Sequence, residues 1–178
     1  MLYPVLLAAL LAQAPDREVV LLENDVVRVS EIRVAPGVGE PAHSHRRGVT
    51  VALSDYDNQT ITLPERKPGG GHTRFGEVKW AEPVTHEARN SGTTVQRVIR
   101  LELKHDQPPA PIHLEAVANV LFENAWVRAV ELRGETTPRP AKIRAVVVDL
   151  ASPGANGVRW IEAESLQVST HAVRIELK

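Results

Sequence analysis

From residue 17 onward, apolar and polar positions alternate with a period of two in short runs: "VVLLEN", "VVRVSEIRV", "GVTVALS", "QTITLPE" and "TVQRVIRLELK". Runs of this period, rich in Val, Ile, Leu and Thr and punctuated by Pro, Gly, Asn and Asp, predict strands joined by turns. Helical stripes are nearly absent, the exception being the N-terminal apolar run "LYPVLLAALLAQA". The expected fold class is all-β.

The pattern also repeats. "LLENDVVRVSEIR" (residues 21–33) matches "LFENAWVRAVELR" (121–133), "VKWAE" (78–82) matches "VRWIE" (158–162), and "VIRLELK" (98–104) matches "AVRIELK" (172–178). Three matches in one order predict two copies of one β unit, the second abbreviated in its middle hairpin and last loop. The expected organisation is a first unit over 19–104, a proline-rich connector "HDQPPAPIHLEA" over 105–116, and a shortened second unit over 117–178.

Composition narrows the function. A chain of 178 residues with 43% apolar and 24% charged residues is ordinary for one folded body. Its formal charge of -1, without a Lys/Arg block, leaves no electrostatic footprint for nucleic acid or an anionic membrane. With no cysteine, a metal would be held by histidine or carboxylate. The N-terminal run ends in Ala12-Gln13-Ala14, the small-x-small pattern of a signal-peptidase site, so residues 1–14 read as a signal peptide and the mature protein as periplasmic or secreted. The missing basic residue before the run and Pro15 after it leave a cytoplasmic protein with a misplaced start as the alternative. The run is too short to span a bilayer. "ERKPGGGH" (65–72) lacks the Gly-Lys-Ser/Thr ending of a phosphate-binding loop.

The candidate chemistry lies in "PGVGEPAHSHRRGVTVAL" (36–53). His43 and His45 stand two apart in a strand, so they share a face and form a chelating edge. His86, from a neighbouring strand, would complete a facial set of three nitrogens, suited to Fe, Mn, Ni, Cu or Zn with coordination positions left open. The alternative is a pair of polar residues on a wet strand face. Anchoring Pro41-Ala42 on Pro140-Ala141 sets His43 opposite Lys142 and His45 opposite Arg144; counting on from Trp80 and Trp160 sets His86 opposite Leu166. The second copy is thus expected to lack the histidines.

These residues resemble the cupin family. Gly37, five residues and then His43-Ser44-His45 fit its first motif, and Gly76, His86 and Asn90 fit its second. The resemblance covers about residues 19–104, with 117–178 resembling a degenerate second unit. It implies a cupin-type double-stranded β-helix, or jelly-roll barrel, with a second abbreviated β repeat packed on it, and a divalent metal (Fe, Mn, Ni or Zn) inside the barrel. The metal ligands it implies are His43, His45 and His86. Two features depart from the family: Val49 and Thr50 stand where a ligand glutamate is expected, and Glu82-Pro83-Val84 replaces a Pro-x-Gly turn. Glu40, Glu82, His72 and Gln59 are candidates for the fourth ligand.

Among the other residues, Trp80 and Trp160 are expected to pack in or beside the core, Asn90 to support a turn, and Arg46 and Arg47 to end a solvated strand or steer an anion. His72, His105, His113 and His171 are expected in loops, at the surface or in packing. An apolar barrel lining is expected to carry no substrate signature. The functional expectation is an exported metal-binding cupin of undetermined activity, with a small-molecule ligand, no nucleic acid partner, no membrane association after signal cleavage, and a homodimer as an allowed assembly. Two alternatives stay open: a mononuclear iron-type dioxygenase acting on a small organic substrate, and a non-catalytic ligand-binding or structural cupin without metal.

Overall fold

The computed structural model describes residues 18–110, 114, 116–134, 136–138, 144–154, 156–162, 165–167 and 171–178. The signal-peptide expectation for residues 1–14, and those for His113 and Lys142, lie outside the described residues.

Nine strands come first: β1 (Glu18–Glu23), β2 (Val27–Val34), β3 (Gly39–His45), β4 (Gly48–Ala52), β5 (Tyr56–Leu63), β6 (Lys67–Thr73), β7 (Val78–Ala81), β8 (Val84–Asn90) and β9 (Gln96–Leu103). Seven follow: β10 (Val120–Glu123), β11 (Val127–Arg133), β12 (Thr136–Pro138), β13 (Ala145–Asp149), β14 (Val158–Ile161), β15 (Ser165–Gln167) and β16 (His171–Leu177). The all-β expectation holds, and no helix among the described residues is long and apolar enough to cross a membrane.

Two five-stranded antiparallel sheets are built in the same order, β1-β2-β9-β4-β7 and β10-β11-β16-β13-β14. They pack through one apolar core. Val27, Val29, Val49, Val51, Ile99 and Leu101 of the first sheet meet Val127, Val146, Val148, Val173 and Ile175 of the second, all almost wholly buried. Strand alternation explains the choice: in β9, Ile99, Leu101 and Leu103 face this core, and Gln96, Val98 and Arg100 face the opposite way. Trp80 and Trp160 pack against the core as half-buried side chains, and each indole N–H donates to a glutamate two residues on, Glu82 at 2.7 Å and Glu162 at 2.9 Å.

A four-stranded sheet, β3-β8-β5-β6, covers the other face of the first sheet. Between the two lies a cavity of about 580 Å³. In the second copy the strands that correspond to β3 and β8 are reduced to the pair β12-β15. Asn90, fully buried at the end of β8, secures the turn after it: its amide donates to Val34 O and Thr94 O and accepts from Gly92 N–H.

The registers correct the matching of the copies. Leu103 N–H donates to Arg47 O, and Leu177 N–H donates to Arg144 O, so Arg144 is the counterpart of Arg47 and not of His45. With Leu166 matched to His86, its cross-strand partner Thr137 takes the place of His43, which pairs with His86. The Pro140 anchor misled because the corresponding strands are separated by different numbers of residues in the two copies, β3 and β4 by two and β12 and β13 by six.

Candidate metal centre

The His-x-His pair sits on β3, and its cross-strand neighbour supplies the third ring. His43 and His86 are directly paired across the β3-β8 ladder, which brings their Cβ atoms to one face. His43 Nε2 lies 3.0 Å from His45 Nε2 and 3.2 Å from His86 Nε2. The three ring centroids are 4.7 to 5.3 Å apart.

Hydrogen bonds fix which nitrogens are available. His43 Nδ1 lies 2.8 Å from the carbonyl of Pro41, which can only accept, so Nδ1 carries the proton. His45 Nδ1 lies 3.0 Å from Glu102 Oε1 and donates to it. Burial pushes the Glu102 carboxyl up, but the His45 hydrogen bond and Arg100 outweigh it and hold it below its ordinary value. Both Nε2 lone pairs therefore point toward one place with no proton between them. Burial, and then the charges of His43, His45 and Arg100, push His86 down to about 4, so its ring is neutral near pH 7.

Two nitrogens about 2.1 Å from a shared ion and 3.0–3.2 Å apart subtend about 90–100° at it, the angle of a facial set. All three candidate ligand atoms lie within 4.8 Å of one another. A facial pair with metal–nitrogen bonds of about 2.1 Å stands about 3 Å apart, so an ion held this way would draw His45 and His86 together by more than about 1 Å. Among the described residues, this is the group of His, Asp and Glu side chains arranged to hold a metal.

The fourth-ligand candidates fall outside it. Glu40 and His72 line the cavity but do not join the cluster, and His72 pairs instead with Asp57 at 3.0 Å. Glu82 is taken by Trp80, and Gln59 is exposed and does not line the cavity. Val49 lies in the inter-sheet core, while Thr50 faces the cavity. Arg47 stacks on Trp126, 4.2 Å from its ring centre, and Arg46 donates to Lys104 O. His105 is exposed, and His171 bonds Glu131 at 2.8 Å.

The lining corrects a further expectation. Beside Ile32, Pro41, Ala88 and Val98 it carries Thr50, Tyr56, Gln96, Lys79 and Arg100, so it is mixed rather than apolar. The sequence reading missed Glu102, which orients His45, and Arg100, 7% exposed, which lines the same cavity. The signal was in "VIRLELK": Arg100 and Glu102 break the polarity of a strand whose other face is entirely buried.

No family model and no curated protein matches the chain. Among solved structures, AerE from Microcystis aeruginosa aligns with 87% of this chain and 88% of its own, at 12% identity and a TM-score of 0.60. YhaK from Escherichia coli aligns with 85% of each chain, at 14% identity and a TM-score of 0.55. A cupin domain from Bordetella pertussis aligns with 49% of this chain and 92% of its own, at 26% identity and a TM-score of 0.46. The chain has a cupin fold. In this chain the three histidines belong to the first copy, and the cavity they line lies between the two sheets of that copy.

Proposed function

We propose that this cupin binds one divalent transition-metal ion through the Nε2 atoms of His43, His45 and His86. The observation that carries the reading is the commitment of both His43 Nδ1 and His45 Nδ1 as donors, to Pro41 O and Glu102, which leaves two unprotonated Nε2 atoms 3.0 Å apart. Two lone pairs at that distance repel unless a proton or a metal ion lies between them. The residues fit the group: neutral nitrogen donors without thiolate suit iron, manganese, nickel or zinc. A carboxylate behind a ligating imidazole is the usual outer support of such sites. Bound by neutral donors alone, the ion keeps its full charge and open positions, and supplies Lewis acidity toward a small ligand in the cavity.

Around it, the chain's own groups do the rest. Glu102 and Pro41 O fix two imidazole tautomers, while Thr50, Tyr56 and Gln96 line the approach to the rings. The test is elemental analysis of wild type beside a His43→Ala/His86→Ala double variant, after anaerobic loading with each of the four metals. Wild type is expected to retain about one ion per chain through gel filtration and the variant a small fraction of it. Equally low retention in both would overturn the reading.

A further inference from the structure

The cavity is lined by one buried cationic group, Arg100, that its surroundings neutralise only in part. Arg100 is 7% exposed, yet its Nε has no hydrogen-bond partner, and one terminal N–H goes to the backbone carbonyl of Arg46 at 2.6 Å. The nearest carboxylate is Glu102, whose Oε1 is 3.6 Å from Arg100 Nε and is shared with His45 Nδ1 and Arg46 N–H. A buried guanidinium without its share of acceptors is costly. Lys79, the other cation in the lining, is already paired with Glu77 at 2.8 Å and donates to Thr73.

The second copy is an internal comparison. There the equivalent Arg174-x-Glu176 pair lies in the same register on β16, and Arg174 Nη2 is 2.9 Å from Glu176 Oε1, although Arg174 Nε and Nη1 are themselves without a hydrogen-bond partner, so what differs between the copies is the distance to the glutamate. Arg128, which corresponds to Arg28, adds a second contact to Glu176 at 2.5 Å. No histidine competes for this glutamate among the contacts described. In the first copy His45 has taken the glutamate, and Arg28 turns outward to Glu18 and Glu23. Arg100 thereby keeps a looser contact with its glutamate, 3.6 Å against 2.9 Å for Arg174, and it lines the cavity that the imidazoles also line.

We propose that Arg100 is the carboxylate-binding residue of this cavity: a small organic acid seats its carboxylate on the Arg100 guanidinium beside the three histidines. The inference rests on the metal reading above only in that the acid's other polar atom would then reach the open positions of the ion. A guanidinium fork matches a planar carboxylate. The apolar part of the lining, Ile32, Pro41, Ala88 and Val98, favours an acid with a carbon skeleton over an inorganic oxyanion. Glu18 and Glu40, which also line the cavity, disfavour a polyanion.

The probes are lactate, lactamide and inorganic phosphate, titrated calorimetrically into wild type and Arg100→Lys, each with and without loaded metal, with metal content measured on the same samples. Lactate is expected to bind wild type at least tenfold more tightly than lactamide or phosphate. Arg100→Lys keeps a charge but loses the fork, so it is expected to lose tenfold or more in lactate affinity at unchanged metal content and unchanged circular dichroism. Equal affinity for lactate and lactamide in wild type, which needs no variant, would overturn the proposal, as would tighter phosphate binding or undiminished lactate binding in Arg100→Lys. If no metal loads but lactate still binds in preference to lactamide and through Arg100, the metal reading falls and this inference stands.

Discussion

In His45 the two ring nitrogens have opposite duties: Nδ1 donates to Glu102, and Nε2 turns a lone pair toward His43. Replacing Glu102 with Gln keeps an acceptor but removes the charge that makes the imidazole more basic. Metal affinity is expected to fall about 10- to 100-fold while folding is retained, measured by competition with a chelator. An unchanged affinity would remove Glu102 from the site. His86 sets a pH dependence of the metal-free protein. Its folded value of about 4 lies below the ordinary 6.5, so between these values the unfolded chain takes up a proton that the folded protein does not. This contribution to stability is present above about 6.5 and lost as pH falls to about 4. Urea midpoints at pH 7 and 4.5 are expected to differ more in wild type than in His86→Asn. The three histidines were legible because strand parity places i and i+2 together and a spaced motif supplies the third. Arg100 and Glu102 were not, because parity shows which residues share a face without showing whether that face meets water or a cavity.

At the scale of elements, the site depends on how closely β4 approaches β9. Gly48 stands opposite Glu102 in that ladder, and a Cβ there would run into the backbone carbonyl of Leu101 and crowd the Glu102 Cα. Neither neighbour is a flexible side-chain end, so the strands would have to part. Gly48→Ala is expected to cost about 3 kcal/mol or more in denaturant unfolding and to move Glu102 away from His45, lowering metal retention as well. A variant with both properties intact would show that the ladder yields without cost. The strands were readable from alternation and turn residues. Their partners were not: the β3-β8 pairing that sets His43 against His86 joins segments about forty residues apart, and short-range periodicity carries no record of it. The same gap explains the misplaced counterparts of His43 and His45. Copies matched through Pro140 ignore a change in the spacing between strands that only the ladders reveal.

For the molecule as a whole, the consequential feature is that the two five-stranded sheets share one large core, beside which each copy keeps only a small cluster of its own. Ile175, fully buried on β16, packs in the same cluster as Ile99 and Leu101 of β9, whose opposite face carries Arg100 and Glu102. A perturbation in the copy that lacks the three-histidine cluster should therefore reach the copy that has it. Ile175→Ala leaves a cavity in this core and is expected to destabilise the whole chain by about 2–5 kcal/mol. Because both sheets lose the same support, near-ultraviolet absorbance of the tryptophans and far-ultraviolet circular dichroism should report one coincident transition, in the variant as in wild type. Metal added above its dissociation constant should raise the midpoint of both proteins, since it binds only the folded form and its ligands lie away from the mutated position. Two separated transitions, with the metal shifting only one, would show instead that the copies unfold independently and that the shared core is an apposition of two stable bodies. The sequence repeat is compatible with either arrangement, because Val and Ile at alternate positions make a buried face without saying which sheet it is buried against. A single metal-sensitive transition would tie the histidine cluster to the stability of strands that contribute no ligand.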